Sequence, residues 1–241
     1  MQNESEFDAS IVIPAFNEEK YIKNCLESIS KLDTKLNYEV ILVDNNSSDQ
    51  TVSIAKSFQD ILNIRIVKES RQSRGAARAK GFEEAKGEMV LSTDADTILY
   101  PDWLDILVGS INTQVLAATT SCKIEDLSPL KNLLLNFIHL TTTIIYGAIF
   151  GNSWLFGFSF AISKKVYLEI GGFETNLQAQ EDFDLGYRVH KLGKIKFINK
   201  PVTFSGRRFK RGLLKGLYAY LRTFIQAFVF KKKNIYLNNP R

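Results

Sequence analysis

Two carboxylates one residue apart, Asp94 and Asp96, follow the apolar run Met89-Val90-Leu91. A short run without polar alternation reads as a strand buried on both faces. Acids leaving such a strand at its carboxyl end stand where open α/β sheets bind ligands, and two of them can share a divalent ion through hard oxygen ligands. An ion held there would neutralise a diphosphate. Taken alone, Asp-x-Asp also describes an ordinary solvated turn. A second set of acids, Glu181, Asp182 and Asp184, opens a helical pattern. A carboxylate in that position serves either as a general base or as a partner for the helix dipole.

The elements that must hold these acids alternate. Ile11-Val12-Ile13 is a β-branched strand stopped by Pro14 and followed by the polar Asn17-Glu18-Glu19, after which Tyr21, Ile22, Cys25, Leu26 and Ile29 recur at helical spacing. Tyr38 to Val43 repeats the strand, ending at Asp44 in a turn rich in Asn and Ser. Val52, Ile54, Ala55 and Phe58 then mark a second amphipathic helix, with Ser48 or Asp49 as its N-cap. Consecutive strand–helix units predict a parallel sheet with right-handed crossovers. Residues 158–162 and 196–198 read as further strands, and the chain has neither an internal repeat nor a low-complexity linker.

Six segments in order carry a family resemblance: Ile-Pro-Ala-Phe-Asn-Glu at 13–18, Val-Asp-Asn-Asn-Ser-Ser-Asp at 43–49, Arg-Gly-Ala-Ala-Arg at 74–78, Asp-Ala-Asp at 94–96, Gly-Gly-Phe-Glu at 171–174 and Glu-Asp-Phe-Asp-Leu at 181–185. Together they resemble the family 2 glycosyltransferases across roughly residues 10 to 205. The resemblance implies a GT-A fold: an α/β, Rossmann-like, mostly parallel sheet flanked by helices. Residues 1–205 would form the catalytic domain, 8–96 binding the nucleotide sugar and 97–205 the acceptor, with 206–241 as a basic amphipathic tail.

It also implies roles. Pro14, Phe16 and Glu18 would line the nucleoside pocket with Asn46, and Asp44 would hydrogen-bond the base or ribose. Asn45 stands where many relatives carry a second aspartate, which removes a charge from base recognition. Arg78, or Arg74 one helical turn before it, would reach the diphosphate. Asp94 and Ala95 would touch the donor, and Asp96 with Asp94 would hold Mg²⁺ or Mn²⁺ as Lewis acid. Asp182 would be the general base of an inverting displacement, Glu181 and Gly172 would meet the acceptor, and Asp184 would be structural. The donor would be a UDP- or GDP-sugar and the acceptor a lipid-linked group or a glycan. A nucleotidyltransferase of the same fold would want a glycine-rich, lysine-containing loop after the first strand, and Pro14-Ala15-Phe16-Asn17-Glu18 is not one.

Length and composition accord with one substantial core in 241 residues. Cys25 and Cys122 form no metal-ligand spacing or disulfide framework, and both read as buried apolar residues in a reducing compartment. The polar, acidic start at residues 1–8 shows no signal-peptide pattern, so the expected location is cytoplasmic, peripheral on the inner face of the membrane. Charge is unevenly spread. Residues 1–184 hold all 26 acids with 16 basic residues, a net of −10, whereas residues 185–241 hold 15 basic residues and no acid.

From Arg211 to Phe230 the polar residues Arg211, Lys215, Arg222 and Gln226 form one stripe on an otherwise apolar helix, followed by Lys231 to Lys233. That pattern suits a helix lying on an anionic membrane surface, or one packing on the catalytic domain. A basic nucleic-acid-binding module would explain the tail but leave Asp94, Asp96 and Asp182 unused, so no nucleic-acid partner is expected. Residues 133–150 carry no permanent charge, and Asn132, Asn136, His139 and Thr143 form a single polar stripe. This predicts an in-plane or protein-packed helix, with His139 as a hydrogen-bonded helix residue.

Overall fold

The structure is a computed structural model describing residues 5–175, 177, 180–210, 212, 216 and 218. Three strand–helix units open it: β1 (Phe7–Ala15) and α1 (Ile22–Ile29), β2 (Tyr38–Asp44) and α2 (Thr51–Lys56), β3 (Ile64–Lys68) and α3 (Arg74–Glu84). β4 (Gly87–Thr93) then pairs with β1 on the side away from β2, and all four strands run parallel. The order β3-β2-β1-β4 reverses its direction of growth between β1 and β4. At such a point the connections leave on opposite faces, and a crevice opens beyond the carboxyl ends.

The second half supplies β5 (Thr97–Ile98), α4 (Trp103–Val108), β6 (Val115–Lys123), α5 (Pro129–Phe150), β7 (Ser159–Ser163), α6 (Lys164–Glu169), α7 (Glu181–His190), β8 (Lys194–Phe204) and a 3-10 turn at Arg207–Phe209. All eight strands join one sheet in the order β3-β2-β1-β4-β7-β6-β8-β5. β7 opposes both its neighbours and β5 opposes β8, while the remaining pairs are parallel. The expected mostly parallel α/β sheet is therefore the one that forms.

Burial on both faces explains why the strands lack alternation. Eight of the nine residues of β1 are buried. Ile11 and Ile13 pack with Ile22, Leu26 and Trp103, while Val12 faces Phe82 and Phe160 across the sheet. Pro14 is tolerated because β1–β4 pairing stops at Val12↔Ser92, leaving Pro14 with β2 alone as partner. α2 starts later than its cap signals suggested, with Gln50 at the N-cap and no side-chain cap bond. Asp49 instead accepts from the Thr51 amide and hydroxyl at 2.9 and 2.5 Å, and the Ser48 amide donates to Asn17 Oδ1 at 2.9 Å. Those side chains hold the loops beyond β1 and β2 together.

α5 starts with Pro129 at its first turn and ends at Gly151 in the left-handed conformation, φ 64°. It is the one helix among the described residues long and apolar enough to cross a bilayer, with a mean hydropathy of 1.7. The stripe from Arg211 to Phe230 lies outside the described residues apart from Gly212, Gly216 and Tyr218.

Candidate active site

The carboxyl ends of β1 and β2 form the first wall. Asp44 Oδ1 accepts from the Ser47 amide at 2.9 Å, closing the turn beyond β2, and the Glu18 amide donates to Thr51 Oγ1 at 2.7 Å. Asn17 and Asn46 both sit at positive φ, 54° and 69°, conformations uncommon for residues with a Cβ. Pro14, Glu18 and Asp44 are buried, Phe16 is half-buried and Asn46 is exposed. Asn45 donates through Nδ2 to the carbonyls of Glu69 and Arg71, each at 2.7 Å. Its amide hydrogens tie this turn to the strand beside it, which accounts for Asn at that position without any ligand.

A buried arginine joins the end of β4 to the acids of α7. Arg78, 1% exposed, donates to Ser92 Oγ at 3.1 Å, to Asp94 Oδ1 at 2.5 Å and to Glu181 Oε1. Ser92 in turn donates to the Gly157 carbonyl at 2.8 Å, and the Gly157 amide donates to Asp182 Oδ2 at 2.8 Å. A Cβ at Gly157 would lie 2.5 Å from the Arg78 guanidinium, so only glycine fits. The other carboxylate oxygen of Asp182 accepts from the Phe183 amide at 2.9 Å. Gln180, just before these acids, takes the left-handed conformation at φ 64°.

These contacts set the charges. Burial disfavours the charged form of every group here. Asp94 nevertheless falls below its ordinary pKa because Arg78, Arg74 and Arg208 outweigh burial. Asp182 is pushed up to about 6 by burial and by the neighbouring Glu181, against the opposing pull of Arg78. Arg78 rises above its usual value because Asp94, Glu181 and Asp182 together exceed its own desolvation.

Three assignments change as a result. Arg78, expected at the diphosphate, is committed beneath the site to Asp94 and Glu181. Glu181, expected at acceptor hydroxyls, is 1% exposed and pinned to Arg78, so it presents no open face to an acceptor. Gly172, also expected there, sits at φ 66° with its Cα against Tyr167, where an added Cβ would lie 2.9 Å from the phenol oxygen. That is a backbone reason for glycine. The Arg74 side chain is half-buried and makes no hydrogen bond or ion pair with any described residue, yet its charge helps hold the Asp94 pKa down and opposes the rise at Asp182. Asp184 pairs with Arg188 one turn along α7.

Arg207, from the turn after β8, closes the other side. Its guanidinium donates to both oxygens of Glu18, at 2.6 and 2.9 Å, lies 2.9 Å from Asp96 Oδ2, and stacks 4.7 Å from the centre of the Tyr21 ring. Asp96 is pushed up to about 6 by burial despite Arg207, with Asp94 and Glu18 adding to the rise. Two buried carboxylates thus converge on one cation. Among the described residues no group of three His, Cys, Asp or Glu is arranged around a metal position. A hard divalent ion that keeps its waters and takes phosphate oxygens needs only one or two protein carboxylates. Asp96, with the remaining oxygen of Asp94, fits that requirement.

Beside Asp182 stands a row of aromatic rings that the motifs of the sequence do not single out. Trp154, Phe156 and Phe158 are half-buried and alternate with buried residues. Trp154 and Phe156 stack at 7° with centroids 6.2 Å apart, and Phe156 to Phe158 is 5.2 Å. Phe183, next to Asp182, meets Trp154 edge-on at 4.5 Å. The alternating aromatics of Trp-Leu-Phe-Gly-Phe at 154–158 were the available signal. His139 lies against Phe156 and accepts the Cys122 amide through Nε2 at 3.3 Å, and burial lowers its pKa to about 4, which keeps it neutral.

The family model described as glycosyl transferase family 2 matches residues 10–171. The chain is 29% identical over 252 residues to the probable glycosyltransferase YdaM of Bacillus subtilis, covering 94% of this chain and 59% of that protein. Its fold matches Staphylococcus aureus TarS 1-349 in complex with UDP at a TM-score of 0.66 and 20% identity, covering 82% of this chain and 60% of that one. It also matches the mannosyltransferase PcManGT of Pyrobaculum calidifontis, in complex with GDP-Man and Mn²⁺, at a TM-score of 0.62 and 20% identity, covering 90% and 64%. The chain thus spans about three-fifths of the length of these proteins.

Proposed function

The chain belongs to glycosyl transferase family 2 and has the GT-A fold, and on that premise we propose that it is an inverting enzyme moving a hexosyl group from a UDP- or GDP-sugar to an acceptor hydroxyl, with Asp182 as general base. The observation that carries this reading is the network in which Arg78 ties Asp94, at the end of β4, to Glu181 beside Asp182. Donor-side and acceptor-side carboxylates are thereby locked in one buried frame. Such fixed relative placement is what a single displacement needs.

In that displacement the acceptor oxygen bonds to the anomeric carbon as the carbon–diphosphate bond breaks, and the acceptor proton passes to Asp182. Attack opposite the leaving group inverts the configuration. The amides of Gly157 and Phe183 hold the carboxylate in one orientation, and a pKa near 6 keeps it ionised yet basic at neutral pH. Pro14, Phe16, Asp44 and Asn46 border the nucleoside. Arg74 is the cation best disposed toward the diphosphate, because Arg78 is already paired. Asp96 and Asp94 would hold Mg²⁺ or Mn²⁺, which would supply Lewis-acid stabilisation for the departing diphosphate; the Mn²⁺ in PcManGT supports that assignment. Trp154, Phe156, Phe158 and Phe183 favour an acceptor with an apolar portion, such as a lipid-linked glycan on the cytoplasmic leaflet.

The test is a thermal-shift screen of UDP-, GDP- and dTDP-sugars with Mn²⁺. A ligand binding only the folded state stabilises it by about 2.7 kcal/mol at a hundredfold excess over its Kd. One nucleotide class should raise the melting temperature and be hydrolysed slowly by water. No shift with any donor would overturn the assignment.

A further inference from the structure

α5 is an amphipathic helix mounted inside out. Its polar stripe faces the protein and is used up there. Asn132 bonds both the amide and the carbonyl of Leu127, and Asn136 does the same for Ile124. His139 accepts the Cys122 amide, and Thr143 is buried with its hydroxyl on the His139 carbonyl. The opposite face carries Leu130, Leu133, Phe137, Ile144, Ile145 and Ile149, each at least half exposed. Residues 132–150 contain no Asp, Glu, Lys or Arg. At 1.5 Å per residue the 22 residues give an apolar strip about 33 Å long.

We propose that this strip is a membrane-contact surface, with α5 lying in the plane of an anionic bilayer, its outward side chains at the boundary between head groups and acyl chains. Three observations select lipid as the occupant. The polar stripe is fastened to the segment from Cys122 to Leu127, so lipid cannot surround the helix as it would a spanning segment. Positions 130, 133, 137, 144, 145 and 149 spread over nearly half the helix circumference, wider than the narrow seam one partner helix covers, and a fluid bilayer covers such an arc. Charge also matches. Phe209 packs on Leu135 of α5, and the sequence after it carries eight basic residues and no acid.

The placement deepens the proposed function and, for its bearing on the acceptor, rests on that reading. Tyr146 on α5 meets Trp154 at 5.6 Å, and Trp154 meets Phe183 beside Asp182 at 4.5 Å. The aromatic wall therefore leads from the membrane face to the general base. An acceptor whose lipid stays in the bilayer would reach Asp182 along it.

The experiment compares the full chain with the triple variant Leu133→Gln, Phe137→Gln, Ile145→Gln, all at exposed positions of α5 and none among the residues assigned to donor, metal or base. Both are sedimented with vesicles of phosphatidylcholine containing phosphatidylglycerol and with phosphatidylcholine alone. The wild type should bind, more strongly with the anionic lipid, and the variant should lose at least about tenfold in partitioning while keeping its melting temperature and donor hydrolysis. Equal partitioning of the two proteins would overturn the proposal. So would a wild-type dimer in lipid-free buffer that the variant converts to monomer, which would assign the strip to a second copy. A melting temperature several degrees lower in the variant would assign it to cover by another part of this chain. Loss of donor hydrolysis in the wild type would count against the transferase reading and leave the partitioning result standing.

Discussion

Asp182 and Arg78 fix the energetics of the site at the residue scale. Burial and Glu181 push the pKa of Asp182 up to about 6, and as the proposed general base it would be the group whose ionisation governs turnover. A general base must be deprotonated, so kcat should be level above pH 7 and fall about tenfold per unit below pH 6, measured with saturating donor and acceptor. A profile flat down to pH 5 would remove Asp182 from that role. Arg78 is structural in a stronger sense: among the described residues it is the one cation contacting both Asp94 and Glu181 through hydrogen-bonded ion pairs. Arg78→Leu should cost about 3–5 kcal/mol in urea unfolding, because it leaves the buried Glu181 and the half-buried Asp94 without their shared cation. Arg78→Lys should not restore it, since an ammonium cannot span Ser92, Asp94 and Glu181 in one plane.

Elements meet the site at two close contacts, each with its own consequence. Gly157, just before β7, lets the backbone touch the Arg78 guanidinium on α3 while its amide orients Asp182 on α7. Gly157→Ala should lose about 1–3 kcal/mol through overpacking and lower kcat more than it raises donor KM. Arg207, after β8, bridges Glu18 and Asp96 across the crevice. Arg207→Ala removes the cation that these two buried acids share, at a cost of about 3 kcal/mol. Asp96 already has a folded pKa of about 6, above its unfolded value, so the folded state takes up its proton first on acidification. The variant should therefore be more stable at pH 5.5 than at pH 7.5. If Asp96 also ligates a divalent ion, Mn²⁺ should raise the melting temperature of Arg207→Ala more than that of the wild type, and Asp96→Asn should abolish the shift.

At the scale of the whole molecule, what was legible followed from how locally each signal was written. Met89 to Asp96 carries strand, strand end and carboxylates in eight consecutive residues, and the sheet order around β1 and β4 follows from successive strand–helix units. The Arg78–Glu181 pair spans 103 positions, and nothing near either residue announces the other. Glu181 and Arg78 therefore read as ligand contacts when they are the frame. α5 shows a different limit. Periodicity located its polar stripe at Asn132, Asn136, His139 and Thr143, but amphipathicity alone does not say which side faces the protein. Asn and His can satisfy backbone groups of a neighbouring loop, and here they do. The aromatic wall escaped notice because Trp154, Phe156 and Phe158 alternate within a loop rather than along a strand or helix.

The central claim is that Asp182 performs the chemistry while a separate set of residues binds the donor. Asp182→Asn separates the two most directly: single-turnover transfer and nucleotide Kd are measured on the same preparation. The transfer rate should fall by about 10² to 10⁴, the usual contribution of a general base, with the nucleotide Kd within about threefold of wild type. A parallel loss of nucleotide affinity, or transfer undiminished by the substitution, would contradict it.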